Sequence, residues 1–100
     1  MDTAKVTVLT IIAVFELEDR LVNDLQSFGI RAYTLGRVVG RGEHGPRMSG
    51  LVDAPNLKLE LLVSPDMALG VLEHLRTQYV NEALIAYVQG AEAIPVEHFR

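Results

Sequence analysis

The residues best suited to chemistry lie in a basic, glycine-rich stretch between residues 36 and 50. Five of the eight glycines fall there, and residues 37–47 hold three of the nine basic residues against one acid. The arginines are Arg37, Arg41 and Arg47, and the acid is Glu43. Glycine lets backbone N–H groups approach phosphate oxygens, and arginine adds forked donors, so the pattern predicts a bound anion. A solvated loop has the same composition, and both interpretations stay open.

No catalytic constellation accompanies this stretch. It lacks the Gly-Lys-Ser/Thr ending of a Walker A loop, and Pro46 follows Gly45 where a dinucleotide-binding fingerprint would open a helix. None of the three serines has a nucleophile-elbow context. We therefore predict that the protein is not an enzyme.

The three histidines are too scattered along the chain to predict a metal site. His44 lies in the glycine-rich stretch, His98 lies in the C-terminal tail, and His74 is expected on the exposed side of a helix. A metal held by His44 and His98 is considered, but the sequence does not favour it. The absence of cysteine also removes disulfides and zinc–thiolate sites.

Length and charge narrow the class of protein further. A chain of 100 residues forms one domain, and a net charge of −4 argues against a general nucleic-acid binder. The longest apolar run, residues 8–15, is far shorter than the ~20 residues that a membrane-spanning helix needs. The first residues do not resemble a signal peptide. We expect a cytoplasmic protein.

Hydropathy patterns predict four strands and two helices. Leucines and a phenylalanine at spacings of four and three predict a helix over residues 17–28, ended by Gly29. Ser64, Pro65 and Asp66 begin a second helix, whose apolar stripe continues to Tyr79. The strands are expected over residues 6–15, 30–39, 57–63 and 83–88, the last one continuing to residue 93.

The order of these elements indicates the fold. Residues 40–55 have no core pattern and are expected to form a long flexible loop, of the kind that is usually functional. Residues 95–100 are expected to form a tail. The order βαββαβ predicts a ferredoxin-like α+β domain over residues 1–100, with an antiparallel sheet and both helices on one face. The other face then needs cover, which favours a homo-oligomer. Candidates for that face are Thr7, Leu9 or Ile11, Leu62 and Tyr87.

Two short motifs resemble those of PII-like signalling proteins, in particular the branch that contains SbtB and the carboxysome-associated proteins. The first runs from Tyr33 and Thr34 into Gly40, Arg41 and Gly42, with Arg47 five positions later. The second is Tyr79-x-Asn81-x-Ala83 before the last strand, followed by an ending that contains Glu97 and Phe99. The resemblance covers nearly the whole chain in the order of its elements.

This resemblance implies a non-enzymatic sensor. PII-like proteins are homotrimers that bind adenine nucleotides between subunits, and their long T-loop docks on a partner, often a membrane transporter. In this branch the partner is expected to concern inorganic carbon, and bicarbonate is a possible co-ligand. No nucleic acid and no metal cofactor are implied. The ligand is then AMP, ADP, ATP or cyclic AMP, which the sequence alone does not distinguish.

The resemblance also implies roles for single residues. Arg41 and Arg47 would contact phosphate, and Gly40 and Gly42 would offer backbone N–H groups. His44 stands where the family has a second phosphate arginine and would replace it when protonated, although Glu43 precedes it. On the adenine side, a neighbouring subunit would contribute Asn81, Ala83 and Leu84.

Two alternatives remain at this point. A small ferredoxin-like protein that binds a metal or a metabolite would use histidines and acids and would not depend on a nucleotide. A dimeric αβ-barrel enzyme would need an acid or base between sheet and helices, and the sequence places no polar residue clearly there.

Overall fold

The computed structural model describes residues 1–40 and 55–99. In chain order the four strands are β1 (Ala4–Val14), β2 (Thr34–Val39), β3 (Pro55–Val63) and β4 (Leu84–Ala93). The two helices are α1 (Glu18–Ser27) and α2 (Pro65–Gln78). Short 3₁₀ turns occupy Phe15–Leu17 and Val96–Phe99.

The strands form one antiparallel sheet in the order β2-β3-β1-β4. β1 lies at the centre, where Leu9 pairs with Leu61 of β3 and with Val88 of β4. This topology confirms the predicted ferredoxin-like α+β fold. β2 and β4 are left as the two edge strands of the described sheet.

The core lies between the sheet and the two helices. Leu9, Ile11 and Ala13 of β1 are fully buried and belong to one cluster with Leu21 of α1 and Val71 of α2. Complete burial of a leucine or isoleucine side chain contributes about 1.5–3 kcal/mol, so this layer supplies most of the driving force for folding. Every second residue of β1 and one face of each helix meet in this single layer.

Local capping sets where the helices begin and end. The Ser64 hydroxyl accepts a hydrogen bond from the Met67 N–H at 3.1 Å, and Pro65 is the first residue of α2. After α1, Gly29 adopts a φ of +83°, a left-handed conformation that glycine tolerates best. The Ile30 N–H then donates to the Leu25 carbonyl at 3.0 Å, which satisfies the helix end.

Several predicted element bounds are wrong. β1 begins at Ala4 rather than at residue 6, and α1 covers Glu18–Ser27 rather than residues 17–28. β2 begins at Thr34 rather than at residue 30, because Ile30 still completes the end of α1 and fills the core. Phe15 leaves β1 and begins a 3₁₀ turn. Pro55, predicted to end the loop, pairs with Val39 as the first residue of β3.

The sheet face without helices carries different β1 residues from those predicted. Leu9 and Ile11 are completely buried beneath the helices, and Thr7 shares their face because it lies two positions before Leu9. Leu62 and Tyr87 lie on the open face as predicted, opposite Val8 and Thr10 of β1. They are 47% and 43% exposed.

Neither α1 nor α2, the helices of the described ranges, is long and apolar enough to cross a membrane.

Candidate functional site

A tight connection, residues 80–83, joins α2 to β4 and is called here the α2–β4 turn. The Glu82 N–H donates to the Tyr79 carbonyl at 2.9 Å, which closes the turn on the last turn of α2. The Ala83 carbonyl accepts a hydrogen bond from the Val14 N–H at 3.2 Å, which fixes the turn to the end of β1. The segment that the sequence predicted to face adenine therefore has a defined backbone.

A cavity of about 240 Å³ opens beside this turn, between α2 and β4. Leu84 lines it, Ala83 is half-buried next to it, and Asn81 is exposed on the turn. The lining residues are Leu72, Leu75, Arg76, Tyr79, Val80, Leu84 and Ala86. Aliphatic side chains, one aromatic ring and one guanidinium together can receive a flat ring that carries polar groups at its edge.

Arg76, the charged residue of this cavity, is paired with Glu73 one turn earlier on α2. Its Nε donates to Glu73 Oε2 at 3.0 Å. The hydrogen bond and charge of Arg76 lower the pKa of the Glu73 carboxyl, and the same hydrogen bond raises the pKa of Arg76. Both side chains are largely exposed, so their pairing contributes little to stability.

Arg20 of α1 makes three contacts with the end of α2 and the turn. Its Nη2 donates to the Gln78 carbonyl at 2.8 Å, and its Nη1 lies 3.5 Å from Glu82 Oε1. The guanidinium carbon also lies 4.1 Å from the centre of the Tyr79 ring. The cation thus meets a helix C-terminus, a carboxylate and an aromatic face together.

Asp24, one turn after Arg20 on α1, accepts two further hydrogen bonds from this region. The Tyr79 hydroxyl donates to Asp24 Oδ2 at 2.6 Å, and His74 Nε2 lies 2.9 Å from the same oxygen. Partial burial alone would raise the pKa of Asp24, but the bonds from Tyr79 and His74 and the charge of Arg20 outweigh it and lower the pKa. Burial and the bond to Asp24 raise the pKa of the Tyr79 hydroxyl, which stays protonated.

The other predicted half of the site follows β2. Gly40 is exposed, and no heavy atom lies within 4 Å of the position that a Cβ would take there. Before it, the Arg37 guanidinium lies 4.0 Å from the centre of the Phe15 ring. The remaining predicted phosphate residues lie outside the described residues: they are Arg41, Gly42, His44 and Arg47.

Gly40 and the α2–β4 turn lie at the same end of the sheet but at opposite edges. Val39, the last residue of β2, pairs with Pro55, and Leu84, the first residue of β4, pairs with Ala13. Three strand spacings separate β2 from β4, a distance of about 14 Å. One chain therefore does not bring Gly40 and Leu84 into contact.

The contacts of Arg20, Asp24 and His74 are the part that the sequence did not predict. His74 was expected on the exposed side of α2, yet its side chain is 28% exposed, bonds Asp24 and packs edge-on against Phe28 at 5.3 Å between ring centres. The spacing of four between Arg20 and Asp24 was the available signal, because it places both on one face of α1.

The described residues contain no group of three or more histidine, cysteine, aspartate or glutamate side chains that could hold a metal ion. A metal held by His44 and His98, which the sequence does not favour, is not tested by the structure, because His44 lies outside the described residues. His98 itself packs edge-on against Phe99, with ring centres 4.9 Å apart.

Comparisons with known proteins agree on one family. The family described as nitrogen regulatory protein P-II matches residues 6–98. A PII-like signalling protein from Thermus thermophilus is 33% identical, with 98% of each chain covered and a TM-score of 0.77. No curated protein matches the sequence.

A second similar protein is CPII, a nitrogen regulatory PII-like protein from Thiomonas intermedia K12. Its structure with ADP, AMP and bicarbonate is 16% identical, covers 94% of this chain and 98% of that one, and has a TM-score of 0.76. Its structure with ADP, AMP and acetate is 16% identical, covers 95% and 94%, and has a TM-score of 0.80. At this identity the likeness supports the fold. The match over residues 6–98 and the 33% identity to the protein from Thermus thermophilus show that the chain belongs to the nitrogen regulatory protein P-II family.

Proposed function

We propose that this chain is a non-enzymatic signalling subunit that binds an adenine nucleotide between subunits and passes the ligand's presence to a partner through residues 40–55. The observation that carries this proposal is the family match over residues 6–98, nearly the whole chain. A relative of the same fold was solved with ADP, AMP and bicarbonate, which makes these three the first ligands to consider.

The phosphate side of the proposed site is the segment that begins at Gly40. Arg41 and Arg47 contact phosphate, Gly40 and Gly42 supply backbone N–H groups, and His44 adds a positive charge when protonated. Support comes from the sequence, where these residues lie in a basic stretch of an otherwise acidic chain.

The adenine side is the α2–β4 turn of a neighbouring subunit, with Asn81, Ala83 and Leu84. Support comes from the cavity that Leu84 lines, and from Gly40 and the turn lying at the same end of the sheet. In a head-to-tail ring the β2 edge of one subunit faces the β4 edge of the next, which brings Gly40 near that neighbour's turn. A closed ring of this kind is how we envisage the homotrimer.

We further propose that the chain acts as a single domain in the cytoplasm and that its partner is a membrane transporter for inorganic carbon, as in the SbtB and carboxysome-associated branch. A ligand that binds the two arrangements of residues 40–55 with different affinity shifts the balance between them. The partner would read that balance, and bicarbonate would act as a co-ligand.

Isothermal titration calorimetry tests the proposal directly. The purified chain is titrated with AMP, ADP, ATP and cyclic AMP, each with and without bicarbonate. We expect saturable binding of at least one nucleotide with one site per subunit. Absence of heat with all four, together with binding of a metal ion or another metabolite, would replace the proposal with the alternative of a nucleotide-independent binding protein.

A further inference from the structure

Arg20 lies on α1, but its contacts converge on a different part of the chain. It binds the last carbonyl of α2 at Gln78, the ring of Tyr79 and the carboxylate of Glu82. Gln78 precedes the α2–β4 turn and Glu82 lies within it. The Arg20 side chain of α1 therefore contacts both the helix end that precedes this turn and a residue within the turn.

The ion pair with Glu82 does not explain this arrangement by itself. The Arg20 and Glu82 side chains are 46% and 37% exposed, and exposed pairs contribute little. The planar guanidinium, in contrast, satisfies a carbonyl at the end of α2 that has no partner within the helix, and it lies against an aromatic ring. Both contacts depend on the orientation of the guanidinium plane. They therefore restrict where the end of α2, and the turn that follows it, can lie.

A second contact from the same helix supports the first. The Tyr79 hydroxyl donates to Asp24 at 2.6 Å, and Asp24 lies one helical turn after Arg20. Tyr79 is thus held at its ring face by Arg20 and at its hydroxyl by Asp24. Tyr79 also lines the cavity that Leu84 and Val80 line, so the shape of the cavity depends on where α1 holds Tyr79.

We propose that Arg20 is a positioning residue for the nucleotide site: it fixes the α2–β4 turn, and with it Val80 and Leu84, in the geometry that receives the adenine ring. This inference rests on the proposed function, because it concerns that same site. Arg20 acts through the turn and does not contact the ligand.

The test compares Arg20→Gln with wild type in two measurements. Amide hydrogen exchange of residues 80–84 in the ligand-free protein reports the turn, and calorimetry with ADP reports the site. We expect faster exchange at these amides and ADP affinity reduced roughly tenfold, since the variant must order the turn on binding. Arg20→Lys keeps the charge without the planar fork, and we expect it to rescue little of either.

Two control variants separate positioning from general effects. Arg31→Gln removes the same charge from another exposed position, and Ser64→Ala destabilises α2 at its opposite end by removing the cap of Met67 N–H. Both are expected to keep the ADP affinity of wild type.

The outcomes distinguish this inference from the proposed function. If wild type binds none of the four nucleotides, the proposed function fails, and faster exchange in Arg20→Gln still identifies Arg20 as the residue that holds the turn. If wild type binds ADP and Arg20→Gln binds it equally, the inference is wrong. Equal loss in Ser64→Ala would reduce Arg20 to a general stabilising role and overturn it as well.

Discussion

Arg37 and Arg47 belong to the same basic stretch, yet we expect them to differ in nucleotide binding. The Arg37 guanidinium lies 4.0 Å from the centre of the Phe15 ring and belongs to β2, whereas Arg47 is a phosphate contact of the proposed site. A charge-assisted hydrogen bond contributes about 1.5–3 kcal/mol. Arg47→Ala should therefore weaken nucleotide binding roughly ten- to a hundredfold, and Arg37→Ala should change it little. Calorimetry with both variants checks this, and equal affinity of Arg47→Ala and wild type would remove the phosphate assignment.

If His44 belongs to the proposed site, we expect nucleotide binding to depend on pH. Protonation gives its imidazole a positive charge that phosphate favours, so nucleotide affinity should rise as the pH falls from about 8 to about 6. Titrations across this range check the expectation, with His44→Gln as the control that should lose this rise; the change that remains in the variant comes from the nucleotide's terminal phosphate, which itself titrates at about pH 6. A flat profile in wild type, with Arg47 still required, would remove His44 from the site and leave the arginine in it.

Tyr79 should contribute to stability through Asp24. Because the folded state lowers the pKa of Asp24, the stabilisation is present above the ordinary pKa of 3.8 and is lost as the pH falls through the lowered folded value. Tyr79→Phe removes one bond to this carboxylate and should cost about 1 kcal/mol near pH 7. Urea unfolding at pH 7 and at about pH 3 should show the difference shrinking in acid. Tyr33→Phe, at an exposed tyrosine, is the control, and an equal loss there would contradict the role of Asp24.

Among the elements, residues 40–55 carry the clearest prediction. Glycine-rich sequence without a core pattern leaves little to offset the roughly 1–2 kcal/mol of backbone entropy that ordering each residue costs. Amide exchange in this segment should be fast in the free protein and slower with bound nucleotide. The amides of β1 serve as the internal reference, since they should stay protected in both states. Full protection of residues 40–55 in the free protein would argue against a switching segment.

The order of the elements could be predicted from the sequence because capping and periodicity are local signals. Ser64 and Pro65 mark the start of α2, and the leucine spacing marks the buried side of α1. Which β1 residues face the helices and which face the open side of the sheet could not be predicted in the same way. Its residues are apolar almost without interruption, so no alternation tells one face from the other, and a shift of one residue reverses every side chain.

The same difference between local and tertiary signals applies to the residues of the candidate site. Asn81 and Ala83 were predicted from a motif and Leu84 from its neighbouring position; the structure places the first two in the α2–β4 turn and Leu84 at the cavity. Arg20 was not found, because its contact with Glu82 joins residues 62 positions apart and exists only once α1 and α2 lie side by side. A motif reports residues that are close in sequence, whereas a positioning contact of this kind depends on the tertiary arrangement.

For the whole molecule, the open sheet face determines the expected assembly. Leu62, Tyr87 and Ile85 lie on this face and are each more than a third exposed. Neither α1 nor α2 covers them, and Phe99 of the C-terminal 3₁₀ turn borders only Leu62 among the three in the described residues. Burial of such a face between copies favours tight association. We therefore expect a homotrimer, with a mass in solution about three times the 11.0 kDa of one chain.

Light scattering at micromolar concentration measures this mass, and one pair of variants locates the interface. Leu62→Glu places a second carboxylate two positions from Glu60, on the face that we expect to be buried, and should shift the mass towards that of one chain. Leu69→Glu is the matched control, because Leu69 is 61% exposed on α2 and lies away from that face. The control should keep the mass of wild type, because a charge at a solvent-exposed helix position does not lie in the expected interface between subunits. A wild-type mass near 11.0 kDa would exclude the trimer. If Leu62→Glu still forms a trimer, the open face is not the interface between the subunits.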